Sequence, residues 1–376
     1  MLGWLDACLG ALGDRRPIPP PPADLDWDRL LALAEAEDVL PAVAYAASVG
    51  QWRSVPAATH RRLVEALAAS RARSLVMTRA LARVVRRLAA EGIDIIPLKG
   101  PVLAETVYPD PALRPFSDLD LLVRPADRRR ADVALRRLGC VPVADAHSWE
   151  FDIDHDGATV YEAPDGVRID LHWVLLTEAR YAWNRSQANA VWTRAVPMTL
   201  AGERVQALAP EDQVLHLATH FAVHHSLTGL LRTWDLALVL TWQPLDWPRL
   251  LERAQVWRVH RALFFALREV AAAFPSAVPP GVAAALRPRG PRAALLTSLL
   301  RAADDDRRRR LEHVVTLLLI DRARDVGASV RDALWPSADW LRARYSSPSA
   351  AAPRLYLAHL RKLVGVLGNA SGSGHA

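Results

Sequence analysis

Apolar residues recur at helical spacing over residues 26–48, and residues 57–91 continue in Ala, Leu and Arg with no glycine or proline before Glu91. That pattern predicts one or two long helices. Pro17 and the run Pro19 to Pro22 cannot be helical and form a stiff connector ahead of them. The texture changes after Glu91. Residues 93–98 are a short apolar run ending at Lys99-Gly100, and 102–108 suit one or two helical turns. Pro109, Pro111 and Pro115 make the next stretch a loop. Residues 117–123 (SDLDLLV) first alternate polar and apolar and then turn fully apolar, as a strand entering a core does. An Arg-rich amphipathic helix follows at 126–138. Strands are expected at 149–153, 159–162 and 167–173, separated by the turn signals Asp156-Gly157 and Asp165-Gly166. From Pro210 the helical period returns, over 210–226, 230–242, 246–275, 281–302 and 306–345.

The expected organisation is a helical region (1–90), an α+β core (91–208), a helical C-terminal domain (209–367) and a tail (368–376) with the composition of a disordered end. With 376 residues, 51% of them apolar, the chain can build two or three compact units and is not a disordered protein. Its two cysteines exclude a disulfide-stapled scaffold and suit a reducing cytosol, with both thiols free. No run approaches the ~18–20 apolar residues of a membrane span. The apolar start lacks a basic leader and contains Asp6, so we read no signal peptide and expect a cytoplasmic protein.

A net charge of +6 suits an anionic partner. All but two of the 47 basic residues are arginine; the exceptions are Lys99 and Lys362. In so Arg-biased a chain, a lysine marks a place that needs a compact ammonium. Lys362, in an ordinary Arg-Lys pair, shows that the rule is not strict. Asp304 to Asp306 before Arg307 to Arg310 reads as an acidic helix start with local ion pairs.

The candidate chemistry centres on Asp118 and Asp120. Two residues apart on a strand, they share one face while Leu119 points into the core. Adjacent carboxylates repel unless a cation lies between them, and oxygen ligands at this density favour Mg²⁺. Lys99-Gly100-Pro101 stands at a strand end before a short helix, either an ordinary turn or a phosphate site. Arg168, Asp170 and His172 alternate on another strand, where they either face solvent or bring a third carboxylate to a two-metal site. Arg114, in the loop leading to Asp118, could contact phosphate.

The stretch PLKGPVLAETVYPDPALRPFSDLDLLV (97–123) resembles the uncharacterised nucleotidyltransferase family of bacterial proteins, within the polymerase-β-like superfamily. RIDLHW (168–173), PEDQVLHLATHFAVHH (210–225) and LLRTWDLALVL (230–240) resemble it too, so the similarity covers roughly 90–245. The resemblance implies an α+β fold with a small mixed sheet, flanked by helical regions. It implies two metal ions on Asp118, Asp120 and Asp170, with Asp170 nearest the acceptor hydroxyl. It also implies in-line attack on the α-phosphate of a nucleoside triphosphate such as ATP. Lys99, Gly100, Arg114, Ser117, His172, His220 and His224 are the expected nucleotide-binding residues. The turn departs from the superfamily's Gly-Gly or Gly-Ser: here it is Gly100-Pro101, and proline removes one N–H donor.

Asp212, His216, His220 and His224 recur every four residues on one predicted helix, followed by His225. Three readings are open: a polar face lining the nucleotide cleft, a structural face, or a helical metal site. Asp212, just after Pro210, is expected to act near the helix start as a cap, and Asp235 to bond one of the histidines. The expected activity is nucleotidyl transfer to a small molecule, sugar or peptide. Nucleic acid is less favoured, because the arginines form no aromatic-interleaved stripe. The rival readings are a non-catalytic nucleotide-binding protein on the same fold and a metalloprotein built on the histidine stripe.

Overall fold

The computed structural model describes residues 2–143, 157–175, 188–345 and 351–371. The Ala/Leu/Arg segment folds as one 34-residue helix, α4 (Ala57–Ala90). Before it come α1 (Leu2–Gly13), α2 (Trp27–Ala36) and α3 (Leu40–Val49). The apolar pattern of 26–48 therefore splits in two. Asp26 caps α2 by accepting the Arg29 N–H. The chain then breaks at Asp38, whose φ is +58°, and Pro41 lies in the first turn of α3.

Asp6 sits half-buried on α1. Burial, and then the charge of Glu37, push its carboxyl up to about 6. The folded protein thus prefers the protonated acid. That preference contributes fully below the unfolded value of about 4 and is lost as pH rises through about 6. Asp6→Asn is expected to raise the melting temperature in mildly alkaline buffer, with the gain closing as pH falls toward about 4. A gain independent of pH would assign the effect to packing instead.

The core sheet contains β1 (Ile95–Pro97), β2 (Asp118–Val123), β3 (Val141–Pro142), β4 (Ala158–Glu162) and β5 (Arg168–His172), in the order β1-β2-β5-β4-β3. β2 and β5 run parallel and every other neighbouring pair is antiparallel. Between the strands lie α5 (Gly100–Thr106) and α6 (Arg128–Arg137). The strand expected at 149–153 lies outside the described residues.

Strand alternation sorts the sheet's two faces. Leu119, Leu121, Val123, Ile169 and Leu171 join the α4 and α6 residues Leu81, Leu88 and Leu135 in one core. Ile96 and Leu122 belong to a second core with Val214, Leu215 and Phe221 of the C-terminal helices. Asp118 and Asp120 share the face of Leu122, so the same alternation that builds the core aims both acids at those helices.

Beyond the sheet come α7 (Ala188–Trp192) and the hairpin of β6 (Val196–Leu200) and β7 (Glu203–Ala207). The sequence reading assigns no strand there. The turn residues Ala201 and Gly202 both have positive φ, +52° and +77°, as a two-residue hairpin turn requires. Four helices follow: α8 (Pro210–Val223), α9 (Leu230–Trp242), α10 (Trp247–Val256) and α11 (His260–Ala273). The predicted helix 246–275 is thus two helices, separated at Arg258 with φ +56°. Asp321 caps the second by accepting the His260 and Arg261 N–H groups.

Further helices lie between Val282 and Ser371, and the last (Ala352–Ser371) runs past Gly368, where the tail was expected to begin. Residues 372–376 lie outside the described residues. Asp304 accepts the Arg307 N–H, which makes the acidic run a helix start. Helices from both ends of the chain share the second core, and the Trp242 indole donates to the Gly13 carbonyl at 2.8 Å. Both cysteines are free and buried. Among the described residues no helix is long and apolar enough to cross a membrane.

Candidate active site

Parallel pairing puts Asp120 directly opposite Asp170, and Asp118 opposite Arg168. The three acids come from two adjacent strands and point to one face. Asp120 is only 4% exposed. Its Oδ1 lies 2.8 Å from the Lys99 ammonium and 3.0 Å from His172 Nε2. Burial alone would raise the Asp120 carboxyl. The His172 hydrogen bond and the Lys99 charge outweigh it and hold the group well below the usual carboxylate range. Asp118 goes the other way: burial, then the charges of Asp120 and Asp170, push it up. No described side chain pairs with Asp118, whereas Asp170 accepts from Arg168 Nε at 3.1 Å.

Lys99 reaches Asp120 from a strained position, with φ +50° and ψ −116°. A non-glycine residue held there costs about 1–3 kcal/mol, a pattern that clusters at functional sites. The next residue must be glycine for a packing reason. A Cβ at Gly100 would fall 2.8 Å from Phe116 Cβ and Cγ, so the turn and the loop before β2 lie in close approach. Lys99 is therefore clamped beside the acids. Its Nζ also meets His220 Nε2 at 3.3 Å.

Two cavities meet at this cluster. The first, of about 370 Å³, is lined by Lys99, Gly100, Ser117, Asp118, Asp120 and His220, and by Arg73, Arg114 and Arg232. Sequence reasoning missed Arg73 and Arg232, which look like any other helix arginines until α4 and α9 bring them together. The second, of about 310 Å³, holds Asp170, His172, His216 and His224, with Lys99, Asp118, Asp120 and His220 shared between the two.

The structure gives Arg114 a task beyond phosphate contact. Its guanidinium forks onto Asp235 of α9, with Nε 2.9 Å from Oδ1 and Nη2 2.8 Å from Oδ2, while Nη1 donates to the Pro115 carbonyl. The Tyr108 hydroxyl donates to the same Asp235 Oδ1 at 2.7 Å. Asp235 therefore holds the loop before β2, and does not bond a histidine as expected. Burial opposes the Arg114 charge, but Asp235 overrides it and raises the guanidinium further.

The histidine stripe follows α8 from core to solvent: His216 is buried, His220 half-buried and His224 exposed. Successive rings are tilted by 39° and 37°, with centroids 6.2 Å apart for His216–His220 and 4.6 Å for His220–His224. Burial, and then Lys99, push His216 down to about 3 and His220 well below its ordinary value. Among the described residues, the one group of ligand atoms close enough to hold a metal is Asp120, Asp170 and His172, all within 4.8 Å of one another. Among the described residues the stripe is not such a group. His172, expected on the nucleotide, stands with the metal candidates where Asp118 was expected. Asp212 corrects a further expectation. It caps nothing; buried, it takes Arg194 at 2.8 Å and Arg253 at 3.1 Å.

A mixed sheet with acids on two parallel strands, beside a clamped Lys-Gly turn, is a nucleotidyltransferase-type core. The chain belongs to the uncharacterised nucleotidyltransferase family, whose sequence model matches residues 23–275. The match extends on both sides of 90–245, so flanking helices belong to the family unit along with the sheet. Two solved structures are similar at 14% identity. One is the antibiotic-resistance factor ANT(2'')-Ia, with a TM-score of 0.35, covering 54% of this chain and 97% of that one. The other is an antigenic nucleotidyltransferase-like protein from Paracoccidioides brasiliensis, with a TM-score of 0.37, covering 56% and 91%. No curated protein matches the chain.

Proposed function

We propose that this nucleotidyltransferase is Mg²⁺-dependent and moves a nucleoside monophosphate from a nucleoside triphosphate to a hydroxyl of a small acceptor. The observation that carries the reading is the pairing of Asp120 with Asp170 across parallel strands, with Asp118 on the same face. The donor set fits a hard divalent cation: carboxylates and an imidazole gathered within 4.8 Å, next to a carboxylate without a described partner. Asp118, Asp120 and Asp170 would hold two Mg²⁺ ions, with His172 in reach, and these would neutralise charge on the transferred phosphoryl group.

The chain's own residues do the rest. Lys99, Arg73 and Arg232 line the first cavity and supply positive charge for the triphosphate. Ser117 adds a hydroxyl there. Asp170, on the far side of the shared wall, takes the proton from the acceptor hydroxyl. The new bond forms between that oxygen and the α-phosphorus, the bond to the β-phosphate oxygen breaks, and pyrophosphate leaves.

Thermal melts with ATP, CTP, GTP and UTP, each with and without Mg²⁺, test the reading. A bound triphosphate at about 100 times its Kd stabilises by ~2.7 kcal/mol. The expected result is a rise in melting temperature with at least one triphosphate, only when Mg²⁺ is present, and absent in the Asp118→Ala/Asp120→Ala variant. No rise with any of the four, or an equal rise in the variant, would contradict it.

A further inference from the structure

We propose that the histidine-lined cavity beside Asp170 is the acceptor subsite, and that it takes a small neutral polyhydroxyl molecule. The inference rests on the reading above and deepens it. The two cavities divide the charges between them. Arg73, Arg114 and Arg232 line the first, which suits a triphosphate, whereas among the described residues no arginine lines the second. The second presents Asp118, Asp120 and Asp170 with four imidazoles. Lys99, Asp118, Asp120 and His220 form the wall common to both, where the α-phosphate must stand to meet the acids. A nucleophile in line with the leaving pyrophosphate then approaches from the second cavity.

His216 tells what it meets there. It is 4% exposed, and neither ring nitrogen has a hydrogen-bond partner among the described residues. The buried Nδ1 of His172, in the same cavity, has none either. Native structures rarely leave such atoms unsatisfied, so each needs a ligand or water to complete it. A neutral imidazole offers one donor and one acceptor, the pair that a hydroxyl or two adjacent hydroxyls can match.

Among the described residues the second cavity lacks the guanidinium that would pair with a phosphate or carboxylate on the acceptor. At about 310 Å³ the cavity is at the lower end of the ~300–1,000 Å³ range of small-molecule pockets.

The test is imidazole NMR of the full chain labelled with ¹⁵N-histidine, titrated with glycerol and with myo-inositol, with Mg²⁺ and nucleotide both absent and present. Glycerol 3-phosphate and spermidine serve as charged comparators. The expected result is a saturable shift of the His216 ring nitrogens with the neutral polyols, at least about tenfold tighter than with either charged probe. His216→Phe should remove the polyol response, with circular dichroism confirming its fold. If that variant does not fold, the wild-type titration alone decides. No His216 response to either polyol, or an equal or stronger response to a charged probe, would overturn the proposal. The nucleotide melts report on the first cavity independently. A polyol response without nucleotide binding would sink the transferase reading alone, and nucleotide binding without a polyol response would sink only the acceptor assignment.

Discussion

Asp120→Asn should leave a folded protein that no longer releases pyrophosphate in the presence of Mg²⁺ and triphosphate. The loss expected is at least ~10²–10³-fold, the range for removing one preorganised electrostatic contact at a reacting centre. Asp120 is the most constrained of the acids. Lys99 at 2.8 Å and His172 at 3.0 Å fix its carboxylate before any ligand arrives, and together they keep it ionised. The sign of the linkage follows. Because its folded value is depressed, Asp120 adds stability above the unfolded value of about 4, and this is lost only in strong acid. Asparagine keeps the shape but removes the charge opposite Lys99, so a stability cost of about 1–3 kcal/mol is also expected. Melting curves separate that cost from the loss of turnover. Asp170→Asn gives the complementary case. Triphosphate stabilisation should fall less than in the Asp118→Ala/Asp120→Ala variant while turnover is lost, because Asp170 does not line the first cavity.

The largest effect on stability is expected from the Arg114–Asp235 pair. Both side chains are nearly buried, at 12% and 4% exposed, and Tyr108 bonds the same carboxylate. Removing one member of a buried pair leaves an uncompensated charge and costs about 3–5 kcal/mol. Arg114→Met alone, or Asp235→Leu alone, should therefore lower the urea midpoint steeply. The double variant should recover much of that loss, because two apolar residues leave no orphan charge, although the Tyr108 hydroxyl still loses its acceptor. A double variant no better than the worse single one would mean that the pair is valued for its geometry. The loop it holds leads directly into Asp118, so this structural bond also positions the site.

The period-2 rule carried the site's essentials from sequence. Asp118-Leu119-Asp120 and Arg168-Ile169-Asp170 alternate strictly, and the strands they build lie side by side with the acids on one face. The four-residue spacing of the stripe likewise predicted a shared helix face, and His216, His220 and His224 do line one cavity. What one sequence could not reveal is partnership across the chain. Arg114 and Asp235 are far apart in sequence, and nothing local distinguishes that arginine from the other 44. Arg73 and Arg232 were missed for the same reason.

The breaks in the helical pattern were hidden in another way. Asp38 and Arg258 end helices with positive φ and no neighbouring glycine or proline to mark the spot. The β6–β7 hairpin contains Pro197, which a two-stranded ribbon tolerates and a central strand does not. The resemblance supplied the chemistry that the alternation alone left open, since two acids on a strand face can equally be solvated.

The most direct test of the central claim is anomalous diffraction from crystals grown with Mn²⁺, as a visible substitute for Mg²⁺, and the triphosphate that stabilises the protein. The account predicts manganese peaks against Asp120 and Asp170, within reach of Asp118 and His172, with the triphosphate running toward Arg73 and Arg232. Manganese on the His216–His220–His224 stripe, or a triphosphate bound away from the acids, would contradict it.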